Sequence, residues 1–114
     1  MIGWRDAGLA AALVLLTTLP AAPHQFNVFA SVDCGSVEVE ATLENGRPPA
    51  TGEVRLRDAD DKVILTLDLG DTGKKRVSLE GVDTSGGLTV EVESGAHSDY
   101  WVLTPEDITR TCSA

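Results

Sequence analysis

From Gln25 onward the chain alternates apolar and polar residues with a period of two, in seven short bursts separated by turn residues. Only a strand sends successive side chains to opposite faces, so each burst reads as a strand with one face buried. Ser36 to Glu44 is the clearest: Val37, Val39, Ala41 and Leu43 share one face, and Glu38, Glu40, Thr42 and Glu44 the other. Gln25 to Val32 precedes it, with Phe26, Val28, Ala30 and Val32 directed inward. Glu53 to Arg57, Lys62 to Leu69, Lys75 to Leu79, Leu88 to Glu93 and Asp99 to Leu103 complete the set. In the fourth burst Val63, Leu65, Leu67 and Leu69 are the expected inward residues. The punctuation between bursts is turn chemistry: Asp33-Cys34-Gly35-Ser36, Asn45-Gly46 with a proline-rich stretch to Gly52, Asp58 to Asp61, Gly70 to Gly73, Gly81 to Gly87 and Gly95 to Ser98.

Seven short strands at this spacing predict an all-β fold: a single seven-stranded immunoglobulin-like β-sandwich over residues 23–104, preceded by a signal-peptide helix. The Cys…Trp…Cys spacing of antibody domains is absent, because Trp101 falls in the last strand. Residues 105–114 form a short tail, in which Thr104 is placed to cap a helical turn starting at Pro105. Arg55 and Arg57 point outward and would pair with the glutamates of the preceding strand if the two strands are neighbours.

Residues 1–22 have a different texture. Ala7 to Leu19 is an uncharged, mostly apolar run, short of the ~20 residues that span a bilayer but suited to a signal peptide. Arg5 gives a weak positive start, opposed by Asp6, and Pro20-Ala21-Ala22 supplies a helix stop and small residues for cleavage. Cleavage after Ala21 and after Ala22 both remain open; the second would leave Pro23 first, a poor fit to a signal peptidase. The expected location is secreted or periplasmic, with no membrane anchor after processing.

That compartment bears on the two cysteines, Cys34 and Cys112, which in an oxidising environment are expected to form a disulfide tying the first turn to the tail. Two free thiols are the alternative. The formal net charge is −9, and loss of residues 1–22 removes one acid and one base, leaving the excess unchanged. Phosphates would be repelled, which excludes nucleic acid as the natural partner; cations and basic surfaces would be attracted.

The chain lacks G-x-S-x-G, a conventional nucleophile–base pair and a glycine-rich loop leading into a helix, so no enzymatic activity is expected. Its many carboxylates alternate along strands and read as solvated sheet faces. Asp58, Asp60 and Asp61 resemble the start of a calcium loop, but Val63 stands where the sixth-position glycine of an EF-hand belongs, and a polar turn is the simpler reading. The remaining candidates are the two histidines, His24 at the start of the mature chain and His97 in the turn before the last strand.

Several stretches together carry a resemblance: Ala22-Pro23-His24 followed by Phe26-Asn27-Val28-Phe29-Ala30, then Val37-Glu38-Val39-Glu40, the Glu44-Asn45-Gly46-Arg47-Pro48 turn, Gly52-Glu53-Val54-Arg55-Leu56, and Gly95-Ala96-His97 leading into Tyr100-Trp101. This pattern resembles the periplasmic or extracellular accessory component of nickel and cobalt importers of the energy-coupling-factor type, itself close to carboxypeptidase-regulatory-like and collagen-adhesin-B-like sandwiches. The resemblance covers His24 to about Leu103. It departs from the family at Asp71-Thr72-Gly73-Lys74-Lys75-Arg76-Val77, which lacks the usual phenylalanine, in its two cysteines, and in having no C-terminal membrane helix.

The resemblance implies an extracytoplasmic accessory domain that binds or delivers nickel or cobalt, with a membrane metal permease as partner. His24 and His97 would be the metal ligands, since imidazole suits both ions. Asp99, Glu93 or water would complete the set; a first-residue Pro23 would add its amine and the His24 backbone nitrogen. A generic secreted interaction or structural module without metal is the alternative.

Overall fold

The computed structural model describes residues 26–109. The proposed signal peptide, His24 and Cys112 lie outside the described residues. Seven strands occur: β1 (Phe26–Asp33), β2 (Ser36–Leu43), β3 (Glu53–Arg57), β4 (Val63–Asp68), β5 (Lys74–Ser78), β6 (Leu88–Ser94) and β7 (His97–Leu103). One helical turn, α1 (Pro105–Thr109), follows. The strands form two antiparallel sheets, β1-β2-β5 and β4-β3-β6-β7, which makes the domain an all-β sandwich.

Each sheet contributes its apolar alternate residues to one core. Val28, Ala30, Val37, Val39, Ala41 and Val77 come from the first sheet, and Val54, Leu56, Leu88, Val90, Val92 and Leu103 from the second. Among the described residues no polar or charged side chain is buried. Burial of each Val or Leu contributes about 1.5–3 kcal/mol, so period-two patterning holds the strands in phase.

The tightest connections are hairpins whose loops are two residues long. Asp33 pairs with Ser36 across Cys34-Gly35, and both loop residues have positive φ, 51° and 81°. That backbone matches the right-handed twist of the flanking strands. Ser94 likewise pairs with His97 across Gly95-Ala96. The expected turn at Gly95 to Ser98 is therefore shorter than its composition suggests, and His97 is the first residue of β7 rather than a turn residue. A left-handed Gly95 (φ 60°) reverses the chain early enough for pairing to start there.

Two further expectations are corrected. In β4, Leu56 pairs with Leu65 but Arg57 pairs with Val63, so Ile64 is the extra residue of a bulge. The bulge shifts the alternation by one: Ile64 packs against the core and Val63 is exposed. Secondly, β3 lies between β4 and β6, not beside β2. Arg55 and Arg57 therefore meet Glu91 of β6, at 2.8 and 3.2 Å. The glutamates of β2 pair with β5 instead, Glu38 with Arg76 and Glu40 with Lys74.

The described residues end in α1, which carries a reciprocal cap. Thr104 Oγ1 accepts from the Asp107 amide at 3.1 Å, and Asp107 Oδ2 accepts from the Thr104 amide at 3.0 Å. Ile108 of this turn packs against the core. Among the described residues no helix is long and apolar enough to cross a membrane.

Candidate functional site

β1 and β7 are the edge strands of different sheets, and they meet along one seam of the sandwich. In register, His97, Asp99, Trp101 and Leu103 lie opposite Ser94, Val92, Val90 and Leu88, on the side of β7 that faces the core layer. Only Leu103 of the four is fully buried. The other three reach toward β1 and close the seam.

Each makes a specific contact there. The His97 ring stacks on Phe26, with centroids 5.7 Å apart and planes 18° from parallel. Asp99 Oδ2 accepts a hydrogen bond from the Val28 amide at 3.2 Å. Trp101 meets Phe29 edge-on, with centroids 4.9 Å apart and planes at 72°. An edge strand presents unpaired backbone donors, and Asp99 satisfies one of them where no strand can.

His97 and Asp99 thus share one side of β7, two residues apart, and face the beginning of β1. Glu93 does not join them. It pairs with Ser98 on the opposite face, where its carboxylate lies 3.4 Å from Arg55. Among the described residues there is no cluster of three or more His, Cys, Asp or Glu side chains that could hold a metal ion.

The strongest electrostatic feature sits on the outer face of the second sheet. Arg55 contacts Glu53, Glu91 and Glu93, and Arg57 adds a second contact to Glu91. The hydrogen bond from Arg55 holds the Glu91 carboxyl below its usual range, against the opposing effect of desolvation; Arg57 lowers it further. The same partner raises the Arg55 guanidinium above its ordinary value. Every charge in this network has an opposite partner, so it reads as a cross-strand brace.

The acidic turn at Asp58 is likewise engaged locally. Asp58 Oδ1 accepts from the Asp60 and Lys62 amides at 2.9 and 3.0 Å, the side-chain-to-backbone pattern of an Asx turn. Cys34 and Ile108 line one depression together with Leu79 and Thr84. Cys112 follows Ile108 by four residues in the sequence.

The seam contacts of Phe26, Phe29 and the Val28 amide were not anticipated from sequence. The parity of β7 was the available signal: His97, Asp99 and Trp101 share the phase of the buried Leu103, so three non-aliphatic side chains stand on a core-facing side. No family model, curated protein or solved structure matches the chain. Fold and seam together define an antiparallel β-sandwich with polar and aromatic contacts between β1 and β7.

Proposed function

We propose that the protein is an extracytoplasmic accessory domain that binds nickel or cobalt and presents the ion to a membrane metal permease. The observation that carries this reading is the stacking of His97 on Phe26. His24 precedes Phe26 by two residues, and two residues of chain span at most ~7 Å. That short tether supports the reading that His24 is the second imidazole, although His24 and His97 stand far apart in the sequence.

Asp99 offers a carboxylate on the same side of β7, with one oxygen engaged by Val28. If processing leaves Pro23 first, its amine, the His24 backbone nitrogen and the His24 imidazole form a chelate that His97 completes. If Ala22 is first, Pro23 has no amide proton to lose, and Asp99 or water supplies the missing donors. Nickel and cobalt both accept imidazole nitrogen, and nickel binds such sites more tightly in the divalent series. The excess of nine negative charges draws cations toward the domain.

Calorimetric titration of native-ended protein with nickel tests the reading. Saturable binding is expected, weakened at least about tenfold, or 1.4 kcal/mol, by His24→Ala and by His97→Ala. Absence of saturable binding, or binding unchanged in both variants, would remove the proposal. A secreted interaction module without metal is the second reading, and the exposed aromatic strip beside the same seam favours it.

A further inference from the structure

The chain has two asparagines, Asn27 and Asn45, and the second is followed by Gly46. An Asn-Gly pair is chemically vulnerable, because the backbone nitrogen of the second residue can attack the side-chain amide of the first. Glycine has no Cβ to obstruct that approach. Asn45 and Gly46 are both exposed, in the turn that leaves β2 on the way to β3.

The turn itself requires this pair. Gly46 has φ 79°, in the left-handed region that glycine enters without strain. Asn45 Oδ1 accepts from the Arg47 amide at 2.9 Å, the bond by which asparagine holds a turn. The Gly46 amide donates to the Leu43 carbonyl at 2.9 Å, and the Leu43 amide donates to the Arg47 carbonyl at 2.8 Å. Both reacting groups are therefore engaged while the turn is closed.

Ring closure is incompatible with that arrangement. The Gly46 nitrogen gives its proton to solvent base and forms a bond to Asn45 Cγ. The Cγ–Nδ2 bond breaks, and the nitrogen takes up a proton and leaves as ammonia. The cyclic imide has no N–H at Gly46, so the bond to Leu43 is lost. Water then adds to either imide carbonyl and opens the ring, leaving aspartate or isoaspartate at position 45. Water is the co-reactant, and nothing is oxidised or reduced. One effect opposes the lock: the Arg47 amide lies on the oxygen that gains negative charge during attack. It already bonds that oxygen in the resting amide, so only a strengthening of the bond would help the reaction. The Leu43 bond is lost outright, and the lock is the larger effect.

We propose that Asn45 is a deamidation site held in check by the turn after β2, so that modification proceeds from the locally opened turn. Aspartate at this position keeps an acceptor for the Arg47 amide and adds one negative charge. Isoaspartate inserts a methylene into the backbone between Leu43 and Arg47, where two backbone bonds must close together. Its formation loosens the connection that carries the chain from the first sheet to the second. Asn27 serves as an internal control: β-branched Val28 follows it, and the Val28 amide is donated to Asp99. This inference is independent of the metal reading.

Peptide mapping by mass spectrometry tests it, on protein aged in mildly alkaline buffer with and without urea. Asn45 should convert, with isoaspartate among the products, and the native protein should convert at least about fivefold more slowly than the unfolded one. Arg47→Pro keeps Asn45-Gly46 but removes the N–H that holds Oδ1, and Pro48 already biases residue 47 toward the extended region where proline fits. This variant should narrow the native-to-unfolded difference at least about threefold. Equal rates in native and unfolded protein, a wider difference in Arg47→Pro, native conversion of Asn27 as fast as Asn45, or no conversion of Asn45 in urea would each overturn the proposal.

Discussion

Asp99→Ala removes the acceptor of the Val28 amide and leaves that N–H at a half-buried seam. The contact measures 3.2 Å, at the long end of the normal range. Hydrogen bonds to charged groups contribute about 1.5–3 kcal/mol, and a long bond at a partly exposed site belongs near the lower figure, about 1.5 kcal/mol. A domain of this size loses roughly 4–8 °C of Tm per kcal/mol, so the substitution should lower Tm by roughly 6–12 °C. Asp99→Asn keeps an oxygen where the acceptor is needed and should cost less than about 0.5 kcal/mol. Urea unfolding at neutral pH, followed by tryptophan emission, measures both. An alanine variant within about 0.3 kcal/mol of the parent would show that the bond does not hold β1 to β7. An asparagine variant as damaged as alanine would show that charge matters and the acceptor does not.

Three other outcomes follow from the same structure. Glu91 has its carboxyl lowered chiefly by Arg55, so its contribution is fully present above the ordinary carboxylate pKa and is lost as pH falls through the lower folded value. Glu91→Gln should cost about 1 kcal/mol at pH 7 and flatten the acid limb of the stability profile below about pH 4.5; an unchanged acid limb would contradict the brace. Gly73 has φ 71°, and a Cβ there would sit 2.6 Å from the Ala41 carbonyl oxygen, so Gly73→Ala should destabilise by about 1–3 kcal/mol in chemical denaturation; a neutral result would refute the close packing of this turn on β2. A Cys34–Cys112 bridge should leave no thiol open to alkylation in exported protein, and reduction should lower stability by up to about 4–5 kcal/mol; two alkylated cysteines would contradict it.

The layers of this fold were legible because each strand buries one face. Val37, Val39 and Ala41 alternate with Glu38 and Glu40, and no other backbone reconciles that pattern with a dry core. Phase was legible only where pairing is regular. At Ile64 the bulge inserts a residue, and alternation read straight through it buries the wrong side chain, Val63. Neighbours were less legible than strands. The outward residues Arg55 and Arg57 would suit the glutamates of β2 or of β6 equally well, and only the crossing of the β2–β3 connection to the other sheet decides between them.

The seam was the hardest to foresee for the same reason. Two edge strands meet there without pairing, so no periodicity links Phe26 to His97 or Val28 to Asp99. What the alternation did contain is the phase of β7, which puts His97, Asp99 and Trp101 on the side of Leu103. The assignment of His97 to a turn hid that phase, because pairing in β7 begins two residues before Asp99.

The central claim is that a metal ion joins the start of β1 to the start of β7. Nickel titration followed residue by residue in the amide spectrum of native-ended protein tests it most directly. The account predicts shifts or broadening that saturate and gather at Phe26 to Val28 and at Glu93 to Asp99, and that vanish in His97→Ala. Changes centred on the Asp58–Asp61 turn, or spread over the glutamates of the sheet faces, would contradict it.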